Sequence, residues 1–193
     1  YYRGHASITI NGQALDDPNL PIALAALAKD RTAKVGVRLT LGPLFHLRKV
    51  ALQGGGVNAA ALAAFGLKSG ASAVAADVLA ARERLLNALE EQGHAYAQVS
   101  EPIAYEDERE PVLDVTFMVN AGPVYTLGPI RIEGLKHVRA SFLQQRLLVH
   151  AGETYSPSEV ERARAGLLGL GVFSSVTVRL PPRDEVKDNR IPI

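Results

Sequence analysis

A repeat at an offset of 80 residues constrains the fold of this chain more than any other feature of its sequence. The hexapeptide at residues 42–47 (GPLFHL) returns at residues 122–127 as GPVYTL. At the same offset each copy is followed by a short run that ends in glycine, at residues 50–54 and 130–134. Because self-similarity at a fixed period marks a series of similar structural units, we expect tandem modules rather than the single domain that 193 residues would otherwise suggest.

The strands and helices of each module follow from residue spacing. Residues 35–40 (VGVRLT) and residues 115–120 (VTFMVN) place an apolar side chain at every second position, which is typical of a strand with one buried face. Met118 weakens the second pattern, because it makes an outward position apolar. Between such strands, Asn58 is suited to cap a helix at residues 59–65 that ends at Gly66.

A longer helix is predicted after Ser72, with apolar residues at helical spacing from Val74 to Leu89. In the next copy, residues 156–159 (SPSE) form a capping box with proline at the first helical position. One unit is therefore strand, helix, helix, strand, strand, and the fold class is α+β.

The repeat also predicts where the modules begin and end. The predicted parts are the C-terminal part of a first module at residues 1–42, a complete second module at residues 43–122, and a third module lacking most of its last strand at residues 123–193. The first part should consist of strands Ala6–Ile10 and Ala33–Leu41. The long connection between them, Asn11–Thr32, is expected to hold a short helix around Ile22–Ala28. Both termini would then cut through modules, as expected of a fragment.

Composition excludes several classes of function. The chain carries 21 Lys and Arg against 20 Asp and Glu, so it lacks the basic footprint of a nucleic-acid-binding protein. It contains no cysteine, which excludes disulfide scaffolds, cysteine-based zinc sites and thiol nucleophiles. The apolar run Leu20–Ala28 is far shorter than the roughly 18 residues that a membrane helix needs.

The strongest catalytic-looking motif is Gly54-Gly55-Gly56-Val57-Asn58-Ala59, which fits G-x-G-x-x-A after a strand, with Asp77 about 20 residues on. A dinucleotide-binding unit requires a parallel strand after that helix, whereas residues 74–92 are predicted to be a second helix. The motif is therefore interpreted as a strand-to-helix turn.

Other candidate sites lack the spacing that their chemistry needs. The histidines at positions 5, 46, 94, 137 and 150 never pair at metal-ligand spacing. The carboxylate clusters at residues 106–110 and 183–185 fall in connections between strands, where the side chains are expected to be solvated. We predict no catalytic residues, no cofactor and no metal, and hence no enzyme.

An alternative function is RNA binding by a KH-like unit, or nucleotide binding by an α/β module. Strand-helix-helix-strand is also the core of a KH domain, which holds RNA with a G-x-x-G loop between its helices. The loop at residues 66–70 is one residue too long for that motif. The matching segment, Gly166–Gly169, is predicted to lie inside a helix. With a net charge of +1, nucleic acid is the weaker alternative.

The repeated motifs resemble the POTRA domains of the Omp85 superfamily of outer-membrane assembly proteins. The resemblance rests on residues 122–134 (GPVYTLGPIRIEG), 152–157 (GETYSP) and 167–176 (LLGLGVFSSV), with a looser copy at residues 93–99 (GHAYAQV). The style is closest to the TamA branch, and a BamA-like or two-partner-secretion relative is the alternative.

The resemblance carries expectations about fold, location and partners. It implies a small mixed three-stranded sheet in each module with two helices on one face. It also implies a place on the periplasmic side of the bacterial outer membrane, tethered by a C-terminal β-barrel that this sequence lacks. The implied partners are unfolded outer-membrane or autotransporter polypeptides and a TamB-like protein anchored in the inner membrane.

The sheet itself predicts how such modules would bind. The strand after the second helix should lie at an edge, where its unpaired N–H and C=O groups can accept a guest strand. The candidate residues are Ala97, Gln98, Val99, Ser100 and Glu101 in the second module, and Ser175, Val176, Thr177, Val178 and Arg179 in the third. Neighbouring modules should hold a limited range of angles, because only Gly42, Pro43, Gly122 and Pro123 are expected to act as hinges between them.

Overall fold

The computed structural model describes residues 4–25, 32–135 and 138–193. The N-terminal sheet has the strand order β2-β1-β3. Its elements are β1 (His5–Ile10), β2 (Gln13–Ala14), α1 (Leu20–Ala25) and β3 (Val35–Thr40). β1 and β3 pair antiparallel and lie where strands are predicted. The predicted helix begins two residues earlier than expected, and its residues 26–28 lie outside the described part of the chain.

The middle of the chain forms a complete strand-helix-helix-strand-strand unit. Its elements are β4 (His46–Gly55), α2 (Ala59–Phe65), α3 (Ala75–Glu90), β5 (Gln98–Val99), β6 (Ile103–Glu106) and β7 (Val112–Asn120). β7 is central: it runs parallel to β4 on one side and antiparallel to β5 and β6 on the other. The sheet is therefore mixed, and β5 and β6 form one of its edges.

The helices of this unit cover one face of the sheet. Val115, Phe117 and Val119 of β7 are buried against them, and the rings of Phe65 and Phe117 meet edge-to-face at 5.3 Å. Met118 lies on the opposite face and is 47% exposed. The alternation of β7 therefore holds, and the methionine is a solvent-facing residue.

The bounds of α2 agree with the capping signals in the sequence. The Asn58 side chain accepts a hydrogen bond from the Ala61 N–H at 2.9 Å, and Gly66 ends the helix in the left-handed region with a φ of 67°. These are local interactions of the kind that sequence alone can indicate.

The glycine run before α2 is explained by close packing of β4 on β7. A Cβ at Gly54 would lie 1.9 Å from the Val119 carbonyl oxygen, and a Cβ at Gly56 would lie 2.4 Å from the Ala121 Cβ. Both glycines also have positive φ values, of 119° and 87°. A second helix, α3, follows α2 directly, as predicted. The motif is therefore a tight strand-to-helix turn.

The C-terminal part of the chain resembles this unit, but fewer of its residues form strands. Its elements are β8 (Thr126–Leu127), α4 (Ala140–Gln144), α5 (Pro157–Leu168), a 3₁₀ turn (Arg183–Glu185) and β9 (Arg190–Ile191). β8 and β9 pair parallel, as β4 and β7 do. Its buried cluster joins Tyr125, Leu127, Val160 and Ile191.

The predicted capping box of α5 is half formed. Ser156 Oγ accepts a hydrogen bond from the Glu159 N–H at 3.3 Å, as expected. The Glu159 side chain does not return to Ser156; it accepts a hydrogen bond from Arg162 Nη1 at 2.6 Å. The motif marks the start of the helix correctly, and its second half is replaced by an i,i+3 ion pair.

The prediction of a strand at Ser175–Leu180 is wrong for the described structure. Val176, Val178 and Leu180 are half-buried and alternate with exposed residues, but the segment belongs to none of the sheets among the described residues. A strand needs a hydrogen-bonded neighbour, and β9, which would be that neighbour, is two residues long and pairs with β8.

A small mixed sheet in the middle unit, two further small sheets and packed helices confirm the α+β fold class. The module bounds at residues 42 and 122 stay predictions.

Candidate strand-binding edge and the joint between modules

The predicted binding edge of the second module is shorter and more irregular than expected. Of Ala97–Glu101, only Gln98 and Val99 form a strand, β5. Gln98 pairs with Asn120 whereas Ile103 pairs with Thr116, so one extra residue is accommodated between β5 and β6. This is a β-bulge. Ser100 bridges it, since its N–H donates to the Met118 carbonyl at 2.9 Å and its Oγ accepts from the Met118 N–H at 3.0 Å.

The outward carbonyl of β5 is already bonded. Arg82 of α3 reaches across the edge, and its Nε donates to the carbonyl oxygens of Val99 and Ser100 at 3.0 and 3.2 Å. Its remaining nitrogens contact the carboxylates of Glu83 and Glu101. The Arg82 side chain therefore closes the edge at the position where the sequence predicts binding.

The open part of the edge is β6, which sequence reasoning missed. The Asp107 N–H donates to the Val112 carbonyl, and the N–H and C=O groups of an antiparallel strand alternate in direction. Ile103 and Tyr105 therefore turn their main-chain groups towards β7, and Ala104 turns its groups away from the sheet. Pro102 argues against a strand at this position in the sequence. The β-branched and aromatic residues at 103 and 105 are nevertheless typical strand formers.

An apolar groove runs beside Ala104. Its volume is about 300 Å³, and it lies between the start of α3 and the strands β6 and β7. The residues that line it are Ala73, Ala75, Val78, Leu79, Pro102, Ala104, Glu106, Leu113 and Val115. Leu79 is 47% exposed on its rim. An extended segment laid along β6 could place one apolar side chain in this groove.

A charged cluster fixes the hairpin that follows β6. Arg48 of β4 donates two hydrogen bonds to Asp114, at 3.0 and 2.8 Å, and one to Asp107 at 2.9 Å. A backbone hydrogen bond from Arg109, the bond from Arg48 and a backbone bond from Glu110 hold the pKa of Asp107 below its ordinary value. The Arg48 hydrogen bond likewise lowers the pKa of Asp114. The carboxylate cluster thus lies at the predicted hairpin tip, with a structural role.

A second set of contacts joins the middle and C-terminal units. Glu91, just after α3, accepts hydrogen bonds from Ser156 Oγ at 2.6 Å and from the N–H and hydroxyl of Ser158 at 3.0 and 2.9 Å. Burial alone would raise the pKa of Glu91, but these hydrogen bonds outweigh burial and hold it below its ordinary value.

The turn after α3 completes this joint. Gly93 accepts a hydrogen bond from the Tyr125 N–H at 2.8 Å, and His94 Nδ1 lies 3.1 Å from the Gly122 carbonyl oxygen. The rings of Tyr96 and Tyr125 meet edge-to-face at 5.1 Å, and the Tyr96 hydroxyl donates to the Pro181 carbonyl at 2.6 Å. Gly122 itself has a φ of 67°. The contacts surround the predicted hinge at Gly122.

The candidate residues Ser175–Arg179 lie beside a larger cavity, of about 740 Å³, between residues 130–135 and 175–182. The Val176 carbonyl already accepts a hydrogen bond from Arg164 Nη1 at 3.2 Å. Without a ladder this segment is not an edge strand.

The described residues hold no group of three or more histidine and carboxylate side chains placed to bind a metal ion. Within residues 4–25, 32–135 and 138–193, no helix combines the length and the hydropathy needed to span a membrane. Gly166, from the G-x-x-G match, lies within α5 and Gly169 follows its end, so the match is not an interhelical loop.

Comparison with solved structures places this fold. The crystal structure of POTRA domains 3–5 of BamA from Haemophilus influenzae matches 98% of this chain and 70% of its own, with a TM-score of 0.63 at 20% identity. BamA from Haemophilus ducreyi lacking POTRA domains 1–3 matches 78% of this chain and 28% of its own, with a TM-score of 0.63 at 18% identity. The fold is that of tandem POTRA domains.

Sequence comparison finds the same similarity in part of the chain. Residues 125–192 match the POTRA family model, described as a surface antigen variable number repeat. The outer membrane protein assembly factor BamA of Neorickettsia risticii (strain Illinois) is 28% identical over 94 residues, which are 49% of this chain and 12% of that protein. The resemblance to POTRA domains of the Omp85 superfamily is confirmed, while the closer similarity to the TamA branch stays a prediction.

Proposed function

We propose that this chain is a non-enzymatic docking array on the periplasmic side of the outer membrane. Unfolded outer-membrane or autotransporter polypeptides would bind by adding a strand to the edge of β6. The observation that carries this proposal is the position of Ala104, whose main-chain groups face away from the sheet beside an apolar groove. The neighbouring edge, β5, is closed by Arg82.

The energetics of this edge favour weak binding. Ala104 offers one N–H and one C=O, and each hydrogen bond contributes about 0.5–1.5 kcal/mol net. An apolar side chain buried in the groove adds about 1.5–3 kcal/mol. Association itself costs at least about 4 kcal/mol, so a single module binds transiently. Main-chain hydrogen bonds are indifferent to sequence, which suits the transfer of varied polypeptides.

The near-neutral charge is consistent with this mode of binding. With a net charge of +1, the chain has little electrostatic attraction for polypeptides of either sign. Strand addition uses backbone groups and one apolar contact, neither of which depends on the charge of the guest. A TamB-like partner remains a prediction from the resemblance.

The proposal is tested with a fluorescent nine-residue peptide of alternating threonine and valine. Ala104→Pro removes the N–H donor and should weaken binding about tenfold, because one hydrogen bond and strand continuity are lost. Leu79→Asp, at the rim of the groove, should also weaken binding. Leu62→Asp is the matched control, since Leu62 is 55% exposed on α2 and does not line the groove.

Fluorescence anisotropy measures the affinity, and circular dichroism confirms that each variant is folded. If folded Ala104→Pro and Leu79→Asp both bind as the unaltered chain does, strand addition at β6 is wrong.

A further inference from the structure

Arg82 lies on α3 beside β5, next to the part of the sheet edge that β6 forms. In an antiparallel strand the N–H and C=O groups of alternate residues point away from the neighbour. The Ser100 N–H donates to β7, so the carbonyl of Val99 points outward. Arg82 Nε bonds this carbonyl at 3.0 Å and the Ser100 carbonyl at 3.2 Å. The acceptors that a guest strand would use on β5 are thus satisfied within the chain.

Two carboxylates hold the guanidinium of Arg82 at the edge. The Arg82 side chain is 22% exposed. Its Nη1 contacts the Glu83 carboxylate, and its Nη2 lies 3.6 Å from a Glu101 carboxylate oxygen. Charged side chains placed at sheet edges prevent unwanted strand pairing in natural proteins. Arg82 is a charged side chain of this kind, and it bonds the edge carbonyls directly.

Arg84, two positions further along α3, provides an internal comparison. Its Nε and Nη2 donate to the carbonyls of Ala64 and Phe65 at 3.2 and 2.9 Å, which are the last carbonyls of α2. Residues two apart on a helix do not share a face. Two arginines of equal charge therefore serve different purposes: Arg84 caps a helix, and Arg82 covers a strand.

We propose that Arg82 is a specificity-determining residue that limits strand addition to β6 and excludes the guest from β5. This inference rests on the proposed function of the β6 edge. The guest would then contact only the short segment beside Ala104 and the groove. Extending the guest beyond that segment would gain no further hydrogen bonds while Arg82 bonds the Val99 carbonyl.

The test compares two peptides of alternating threonine and valine, of five and nine residues. On the unaltered chain both should bind with the same affinity, because the additional residues reach a closed edge. Arg82→Met keeps the apolar stem and removes the donors. In this variant the nine-residue peptide should bind about three- to tenfold more tightly than the five-residue peptide, as expected for one further hydrogen bond.

Arg84→Met is the matched control and should leave the two affinities equal. Thermal unfolding of each variant confirms that it is folded. Arg82→Leu, which also lacks the donors, serves as the second variant if Arg82→Met does not fold. Equal affinities of both peptides for folded Arg82→Met would overturn the role of Arg82 and leave β6 as the binding edge. If neither peptide binds the unaltered chain, the proposed function itself fails, and this inference fails with it.

Discussion

The carboxylate of Glu91 binds the first turn of α5 through Ser158. Its Oε1 accepts the Ser158 N–H at 3.0 Å and its Oε2 accepts the Ser158 hydroxyl at 2.9 Å. A carboxylate at a helix N-terminus satisfies unpaired N–H groups and interacts favourably with the helix dipole. Here the carboxylate comes from the middle unit and caps a helix of the C-terminal unit, so we expect this interaction to limit the angle between the two units.

Removing this carboxylate should widen the range of angles at the joint. Since the chain has no cysteine, spin labels can be attached uniquely at Leu62→Cys and Leu148→Cys, both at exposed positions on either side of the joint. Double electron–electron resonance should give a narrow distribution of label-to-label distances in the otherwise unaltered chain and a broader one in Glu91→Ala. Glu108→Ala, at the exposed hairpin tip, should leave the distribution narrow. Identical distributions in all three would show that Glu91 does not hold the joint.

The same joint should loosen in acid. A carboxyl group whose folded-state pKa is depressed adds stability above its unfolded pKa, and this contribution is lost as pH falls through the folded value. Glu91 is such a group, and the unfolded pKa of glutamate is about 4.3. The distance distribution should therefore be narrow at pH 7 and broaden below about pH 4, with far-UV circular dichroism unchanged. Broadening that is equal in Glu91→Gln would assign the acid effect to other groups.

Gly93 should tolerate no side chain. Its φ is 94°, and a Cβ would lie 2.7 Å from Thr154 Cγ2 and 2.8 Å from Val124 Cγ1. Gly93→Ala should lower the free energy of unfolding by about 1–3 kcal/mol through overpacking, in addition to the backbone strain. Gly70 separates the two effects, since its φ is 86° and nothing lies within 4 Å of its Cβ position. Denaturant unfolding of Gly93→Ala and Gly70→Ala measures the difference. If both variants lose the same free energy of unfolding, Gly93 is not closely packed against Thr154 and Val124 across the joint.

Two neighbouring glycines at the end of β4, Gly54 and Gly55, allow a sharper comparison of substitutions. Gly54→Ala would place a Cβ 1.9 Å from the Val119 carbonyl oxygen, whereas nothing lies within 4 Å of the Cβ position at Gly55. Gly54→Ala should cost about 3 kcal/mol of unfolding free energy, and Gly55→Ala should cost much less. If Gly55→Ala is as damaging as Gly54→Ala, close strand packing does not explain the run.

Local signals in the sequence were sufficient for most of the framework. The caps at Asn58 and Gly66, the start of α5 at Ser156 and the alternation of β7 each depend on residues within a few positions of one another. The repeat then extended these elements to three predicted modules, whose bounds stay predictions, and led to the fold class that is confirmed.

The proposed binding edge depends on contacts between residues that are far apart in the sequence. Arg82 closes β5 across a separation of 17 residues, and Glu91 reaches Ser158 across 67. The segment Ser175–Leu180 has the alternation of a strand and still forms none, because a strand also needs a partner. The predicted edge residues end at Glu101, whereas the edge continues past a bulge into β6.

Amide hydrogen exchange reports directly on the proposed pairing of a guest strand with β6 at Ala104. The Ala104 N–H faces away from the sheet, so it should exchange readily in the free chain and slow down when the nine-residue peptide is added. The same peptide with alternate amides N-methylated on its pairing edge cannot pair through its backbone and should leave exchange unchanged. Protection of Ala104 by the unmodified peptide alone is the predicted result. Saturating peptide that leaves Ala104 unprotected, or equal protection by both peptides, would contradict strand addition at this edge.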